Sequence, residues 1–251
     1  MTFDDIVQHL QDVPHIPPDR GKLLYDFIIE TRPEQILELG FAHGTSTCYM
    51  AAALQENGGG SIVTIDNQSS RLRDPNILSL IEQTGLKSFI TPIFAPRSYT
   101  WELMKLLEQQ TVAGRTEPCF DFVFIDGGHT WDSDGFSFLL ADRLLKPGGH
   151  VLFDDVTWTP SECAEEDWVQ AMPEEERNIA HIEKVLQLLA VPDQNYTDFE
   201  SDGVWAWVRK RPESHTAEDR SNVVSALYAR SNSARRSFMV RRYVKRLFRV
   251  S

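Results

Sequence analysis

The sequence predicts an α/β fold: a doubly wound, mostly parallel sheet with an antiparallel hairpin at its C-terminal edge. Three observations point to it. Short apolar runs alternate with helical patterns along the middle of the 251-residue chain. Strands that alternate with helices of about 10 to 15 residues join by right-handed crossovers into a parallel sheet. Runs such as FDFVFI are apolar throughout, as a strand buried on both faces allows, and NYTDFESDGVWAWVRK reads as two strands about an SDG turn.

Taken in order, HIPPDRGKLLYDF supplies a PP turn and a helix opening near Asp19, with Arg20, Lys22 and Tyr25 on its early turns. This segment either packs on the sheet or closes over a site. QILELG (35–40) is a buried strand stopped by glycine. TSTCYMAAALQEN (45–57) is a helix with Thr45 or Ser46 near its cap. GGGSIVTIDN gives a turn and a strand over 61–66, and PNILSLIEQTG a helix ending at Gly85. KSFITPIF is the third strand and SYTWELMKLLEQQ the helix after it. FDFVFID and DGFSFLLADRLL form the fourth strand and helix, and KPGGHVLFDD a turn and a fifth strand. The stretch 157–177, TWTPSECAEEDWVQAMPEEER, is acidic and irregular with two prolines, and reads as a mobile loop over a site. NIAHIEKVLQLLA is a helix, and RPESHTAED after the hairpin is a linker. The expected organisation is a cap segment over 1–33, a main domain over 34–211, and a linker with a basic tail over 212–251.

Charge narrows the partners. The net charge is −12, yet eight of the 25 basic residues and none of the 37 acidic ones fall in 221–251, which leaves residues 1–220 with 17 against 37, a balance of −20. An acidic body argues against nucleic acid as a partner. In the tail, MVRRYVKRLF sets Met239, Val240, Tyr243, Val244 and Leu247 on one stripe with arginines opposite, a basic amphipathic helix. Docking on the acidic body or on a second copy in a homodimer is favoured over attachment to an anionic membrane or an acidic ligand. No apolar run approaches the ~20 residues that span a bilayer. The acidic opening MTFDDIVQHLQD lacks the basic-then-apolar pattern of a secretory leader. Cys48, Cys119 and Cys163 are scattered in no metal-like spacing, which suits reduced thiols in the cytoplasm.

In open parallel sheets, ligands bind beyond the carboxyl ends of the strands. Gly40, Asp66, Asp126 and Asp154 each lie at or just past such an end and should converge on one crevice. ILELGFAHGTS joins a strand to a glycine-bearing turn and a helix N-terminus. There Gly40 and Gly44 let backbone approach a ligand and the helix offers free N–H groups. Asp66 closes the next strand, where a carboxylate can bind two ribose hydroxyls. A dinucleotide site, or a tight turn without a ligand, stays open on these residues alone.

The ordered stretches ELGFAHGTS, TIDN, FDFVFIDGGH and LLKPGGHVLFDD resemble the motifs of class I S-adenosylmethionine-dependent methyltransferases over roughly residues 34–158. The resemblance implies a Rossmann-like sheet and S-adenosylmethionine as cofactor. It implies that Glu38, Gly40 and Ala42 line the methionine part of the donor and that Ser46 meets its carboxylate. It also implies that Asp66 holds the ribose, that Ser98 contacts the adenine, and that Asp126 borders the donor. The related catechol O-methyltransferases carry an aromatic residue where this chain has Ala42, which leaves a backbone contact there.

Asp126, Asp154 and Asp155 make a hard, anionic oxygen cluster, because converging carboxylates repel one another unless a cation sits between them. Mg²⁺ suits such oxygen donors, and a substrate with vicinal hydroxyls could chelate it. His129, one turn past Asp126, titrates near neutrality and can accept a hydroxyl proton as a general base. Alternatively, Asp126 bonds the following helix, His129 caps it and Asp155 is simply solvated. The four residues together resemble the set of the Mg²⁺-dependent sugar O-methyltransferases of macrolide biosynthesis, whose histidine is the base. The catechol branch has asparagine where this chain has Asp155. His43 and His150 read as structural. Trp158 is a candidate substrate contact, since aromatic faces stack on sugar rings, and Trp131 and Trp168 lie near the same predicted mouth.

The expected function is therefore O-methylation of a hydroxyl on a sugar or glycosylated small molecule, dependent on S-adenosylmethionine and Mg²⁺. Catechol-type methylation is the alternative enzyme. A non-catalytic donor-binding module acting through its basic tail is the third reading, and the intact acids and His129 speak against it.

Overall fold

The computed structural model describes residues 1–212. Two helices, α1 (Phe3–His9) and α2 (Pro18–Thr31), precede β1 (Gln35–Leu39). Then come α3 (Thr45–Asn57), β2 (Ser61–Asn67), α4 (Ile77–Thr84), β3 (Ile90–Ala95) and α5 (Tyr99–Gln110). A short hairpin of β4 (Thr111–Val112) and β5 (Arg115–Thr116) leads to β6 (Phe120–Ile125), α6 (Trp131–Leu144) and β7 (Leu145–Phe153). Three short helices, α7 (Asp167–Gln170), α8 (Glu174–Arg177) and α9 (His181–Val185), precede β8 (Tyr196–Ser201) and β9 (Ala206–Lys210).

Local chemistry sets the ends of these elements. Pro18 opens α2, where its missing N–H has no partner to lose. The Asn76 side chain accepts the N–H groups of Leu78 and Ser79 at 3.0 and 3.2 Å, and Gly85 stops α4 in the left-handed region. α6 begins at Trp131, earlier than its apolar pattern suggests, because Thr130 caps it. α1 rests on a capping box within the acidic opening of the chain. Thr2 and Asp5 there satisfy each other's backbone N–H. The single helix expected over 178–190 is instead α9 followed by a π-helical turn, Leu186–Ala190. The stretch 157–177 holds short helices within its irregular path.

The main sheet has seven strands in the order β3-β2-β1-β6-β7-β9-β8. The first five are parallel, and β9 and β8 are antiparallel, as predicted. Both faces are buried. Ile36, Phe122, Phe124 and Leu152 share one core with α1, α2, α3 and α4, while Leu37, Val123, Ile125, Val151 and Phe153 share another with α5, α6 and α9. The long N-terminal side chains serve packing. Arg20 pairs with Asp202 at 2.5 Å over the Trp205 ring, and the Tyr25 hydroxyl donates to Glu56 at 2.6 Å. No helix among the described residues is long and apolar enough to cross a membrane. The basic tail lies outside the described residues.

Candidate active site

The strand order reverses beside β1, with β2 and β3 on one side and β6 and β7 on the other. A crevice opens at such a switch point, beyond the carboxyl ends. The backbone ladder runs one residue past three of those ends: Gly40 N–H bonds Ile65 O at 2.8 Å, Asp126 N–H bonds Leu39 O at 2.8 Å and Asp154 N–H bonds Ile125 O at 3.0 Å. Gly40, Asp126 and Asp154 therefore stand abreast on adjacent strands. Only glycine fits at position 40. Its φ is +86°, and a Cβ there would fall 1.7 Å from the Asp126 carbonyl oxygen.

Backbone strain gathers at the same place. Ala42, His129 and Asp155 all adopt left-handed φ values, 46°, 52° and 51°. Such outliers persist where surrounding structure holds them, typically at functional sites. For Ala42 the holder is Asp66, whose Oδ2 accepts the N–H groups of Phe41 and Ala42 at 3.1 and 2.7 Å. The other Asp66 oxygen accepts the Asn67 N–H at 2.6 Å and, weakly at 3.4 Å, the Tyr99 hydroxyl. Asp66 thus ties the β1 turn to the end of β2, and the Tyr99 bond is the one a ribose hydroxyl would most readily replace.

The other residues expected around a donor face differently. Glu38 is fully buried and accepts hydroxyl bonds from Ser46, Thr47 and Thr64 at 2.5, 2.5 and 2.6 Å. Burial pushes its carboxyl up to about 7 against the pull of those hydroxyls. Ser46 is buried with its hydroxyl on Glu38, so a donor carboxylate would meet the α3 N-terminus through backbone N–H groups. The Ser98 hydroxyl caps α5, accepting the Trp101 N–H at 3.3 Å, and lies 3.0 Å from the Thr100 hydroxyl. Thr47 and Thr64 hold Glu38 and Tyr99 touches Asp66, and no sequence motif marks these three.

Across the crevice, His129 Nε2 lies 3.7 Å from Asp126 Oδ1 and 3.5 Å from Asp155 Oδ2. Asp126 keeps 22% of its side chain exposed. Desolvation, then Asp154, Glu38, Asp155 and Asp134, nevertheless hold its carboxyl well above the usual range. Burial and Asp155 raise Asp154 likewise, while its Oδ1 accepts the Asp155 N–H at 2.7 Å. The anionic crowding fits the donor chemistry of a hard divalent cation. The imidazole stands between Asp126 and Asp155, however, and among the described residues no group of three or more His, Cys, Asp or Glu side chains meets at one ligating point. A cation here would need these carboxylates to turn toward a common centre.

Two tryptophans stand beside His129. The Trp158 ring lies edge-on to His129 at 5.6 Å, and Trp168 stacks on Trp158 at 6.5 Å. Trp131 opens α6 and, like Trp168, is exposed. His43 Nδ1 donates to the Pro75 carbonyl, 2.6 Å away. His150 packs on Phe27, and burial lowers its pKa.

Residues 37–156 match the family model described as a methyltransferase domain. The chain is 27% identical to a caffeoyl-CoA O-methyltransferase of Stellaria longipes over 141 residues, covering 56% of this chain and 54% of that protein. It is 29% identical to a catechol O-methyltransferase of Niastella koreensis over 141 residues, covering 56% of this chain and 58% of that one. The chain thus spans little more than half the length of the curated relatives it matches. An O-methyltransferase of Streptomyces achromogenes involved in tomaymycin synthesis, solved with S-adenosylmethionine, superposes with a TM-score of 0.57 at 20% identity, over 83% of this chain and 89% of that one. An O-methyltransferase of Bacillus cereus solved with S-adenosylhomocysteine gives 0.58 at 19%, over 83% and 90%. Over residues 37–156 the chain is thus similar in sequence to methyltransferase domains, and its described residues share the Rossmann-like fold of these two structures.

Proposed function

We propose that the chain is an S-adenosylmethionine- and Mg²⁺-dependent O-methyltransferase that methylates one hydroxyl of a vicinal pair on a sugar or glycosylated small molecule. One observation carries this reading. A histidine flanked by two carboxylates, at 3.7 and 3.5 Å, sits at the end of the strand beside the Gly40 turn. Proton acceptor and donor cradle are thereby neighbours.

Gly40, the Ala42 N–H region, Asp66 and the α3 N-terminus would hold the donor, with Asp126 at its edge. Bound there, it supplies an electrophilic methyl group that a hydroxyl oxygen takes as its proton leaves. Asp126, Asp154 and Asp155 would hold the cation, which supplies Lewis acidity to lower the hydroxyl pKa and fix the oxygen. His129 Nε2 receives the hydroxyl proton, and the neighbouring carboxylates stabilise the imidazolium that forms. Trp158, backed by Trp168, would offer an aromatic face to the acceptor ring beside His129. The cytoplasm as working compartment fits the three free cysteines. A homodimer fits Phe136 and Leu139, both about half exposed on α6.

A vicinal diphenol is the second reading, favoured by the catechol and caffeoyl-CoA names of the curated relatives. Asp155 and the histidine base favour the sugar. The deciding experiment incubates purified protein and labelled S-adenosylmethionine with a panel of glycosides and a panel of catechols, each with Mg²⁺ and with chelator. Metal-dependent labelling of glycosides supports the first reading, and of catechols alone the second. Labelling unaffected by chelator removes the cation from both. Asp154→Ala should abolish turnover while calorimetric binding of S-adenosylhomocysteine stays within a few-fold of wild type. Equal loss of both would overturn the division of roles.

A further inference from the structure

A buried imidazole outside the reaction set uses both of its nitrogens. His181 opens α9 and is 3% exposed. Its Nδ1 accepts the Trp131 N–H at 2.9 Å. The ring proton therefore sits on Nε2, which donates to the Glu176 carbonyl oxygen, also at 2.9 Å. One ring thus joins the first residue of α6 to α8.

Both ends of this bridge lead to the site. The N–H of a first helical residue has no partner within its own helix. Thr130, the N-cap of α6, turns its hydroxyl to the Ser133 N–H at 3.4 Å instead. His181 supplies the acceptor that Trp131 needs, two residues past His129. At the other end, Glu176 lies near the close of the stretch 157–177, which carries Trp158 and Trp168. The start of that stretch is bound to the β8–β9 turn, where Thr157 donates its N–H and its hydroxyl to the Gly203 carbonyl oxygen at 3.2 and 2.7 Å. Further on, its turns close on themselves, as with Glu166 N–H to Cys163 O and Val169 N–H to Glu166 O, both 3.0 Å. Val169 is its buried apolar foot.

We propose that His181 is a positioning residue: it fastens the far end of this loop to the start of α6 and so holds the tryptophan pair beside His129. A carboxylate at position 181 could take the Trp131 N–H but has nothing to give the carbonyl, and an ammonium has the reverse defect. The fastening stands on the two hydrogen bonds alone. Its effect on the reaction rests on the reading of Trp158 as the face offered to the acceptor.

The test uses the full chain labelled with ¹⁵N-histidine, at a pH of about 8.5, where an unperturbed histidine is neutral. Two-bond ¹H–¹⁵N correlation reads the tautomer, and the signal missing from His181→Ala identifies His181. Wild type should show the proton on Nε2. In amide hydrogen exchange, peptides from 159–177 should exchange roughly fivefold faster or more in His181→Ala, while those of β1 to β3 stay as in wild type. His181→Asn, with an acceptor near Nδ1 and no reach to Glu176, should protect the start of α6 and leave the loop fast. With 3,4-dihydroxybenzoate as probe acceptor, His181→Ala should raise the acceptor KM roughly fivefold or more and change kcat less than about threefold. Calorimetric binding of S-adenosylhomocysteine should stay within about twofold. A proton on Nδ1 in wild type, unchanged loop exchange in folded His181→Ala, or exchange raised equally in β1 to β3 overturns the proposal. If His181→Ala fails to fold, His181→Asn and the wild-type spectrum decide. A loop released in exchange with an unmoved acceptor KM sinks the reading of Trp158 and leaves the fastening intact, so the two failures are distinguishable.

Discussion

Glu38 shows how much a single residue holds at this site. Its carboxyl is pushed up to about 7 by burial, while Ser46, Thr47 and Thr64 pull the other way. The folded protein therefore keeps a proton that the unfolded chain releases near pH ~4.5. Stability from this group is complete below the unfolded pKa and is lost as pH rises through about 7. A shift of this size corresponds to roughly 3 kcal/mol. Asp126, Asp134 and Asp154 are raised too, so the total slope is shared. Glu38→Gln removes Glu38's share alone. The stability difference between the variant and wild type, from urea midpoints at pH of about 5 and 8, should move in the variant's favour by on the order of 2 to 3 kcal/mol as pH rises. Parallel curves would show that Glu38 is ionised throughout. Gly40→Ala is the harsher change. With φ +86° and a Cβ 1.7 Å from the Asp126 carbonyl oxygen, it must shift the turn or β6. A loss of about 2 kcal/mol or more in thermal stability is expected, together with loss of calorimetric S-adenosylhomocysteine binding.

At the level of elements, α5 gives a prediction that separates two readings of one residue. The Ser98 hydroxyl caps this helix, so Ser98→Ala should cost about 1 kcal/mol of stability in a denaturant titration; no loss would mean that the cap contributes nothing. Four of the five parallel strands were legible as short runs, mostly apolar, stopped by Gly or Asp at the end that lines the crevice, whereas β3 stops at Ala95 before Pro96. The bounds of α3, Thr45–Asn57, match the apolar stretch read for it. Where the sequence misled, tertiary context or short range is the reason. The β4–β5 hairpin pairs only two residues a side, too few for periodicity to register. The π-helical turn after α9 changes no residue type that a pattern could detect. The direction of Glu38 was recoverable. It shares strand parity with Ile36, which packs toward α2 and α3, whereas Leu37 and Leu39 face α5 and α6. That parity sends the carboxylate to the hydroxyls at the start of α3. Asp134 was not recoverable, because among the acids of HTWDSDG nothing marks which one turns inward.

On the scale of the whole molecule, the acidic surplus and the site converge on one measurable property. Residues 1–220 carry a balance of −20, and Asp126, Asp154 and Asp155 concentrate part of it where β6 and β7 end. Burial and mutual repulsion both disfavour ionisation of Asp126, so a divalent cation that relieves the crowding should bind the folded state and not the unfolded chain. By mass action, Mg²⁺ at ten times its dissociation constant would add about 1.4 kcal/mol, which for a chain of this size is a rise in Tm of roughly 3 to 5 °C. Screening alone also favours a compact acidic protein, so the comparison is with sodium chloride at equal ionic strength. Wild type should gain more from Mg²⁺ than from the matched salt. Asp154→Ala should lose that excess and keep the increment given by S-adenosylhomocysteine, since Asp154 ends β7, two strands from the Gly40 turn and three from Asp66. If magnesium and sodium raise the Tm of wild type equally, the carboxylates act only through bulk charge, and the hydroxyl must lose its proton to His129 without help from a cation.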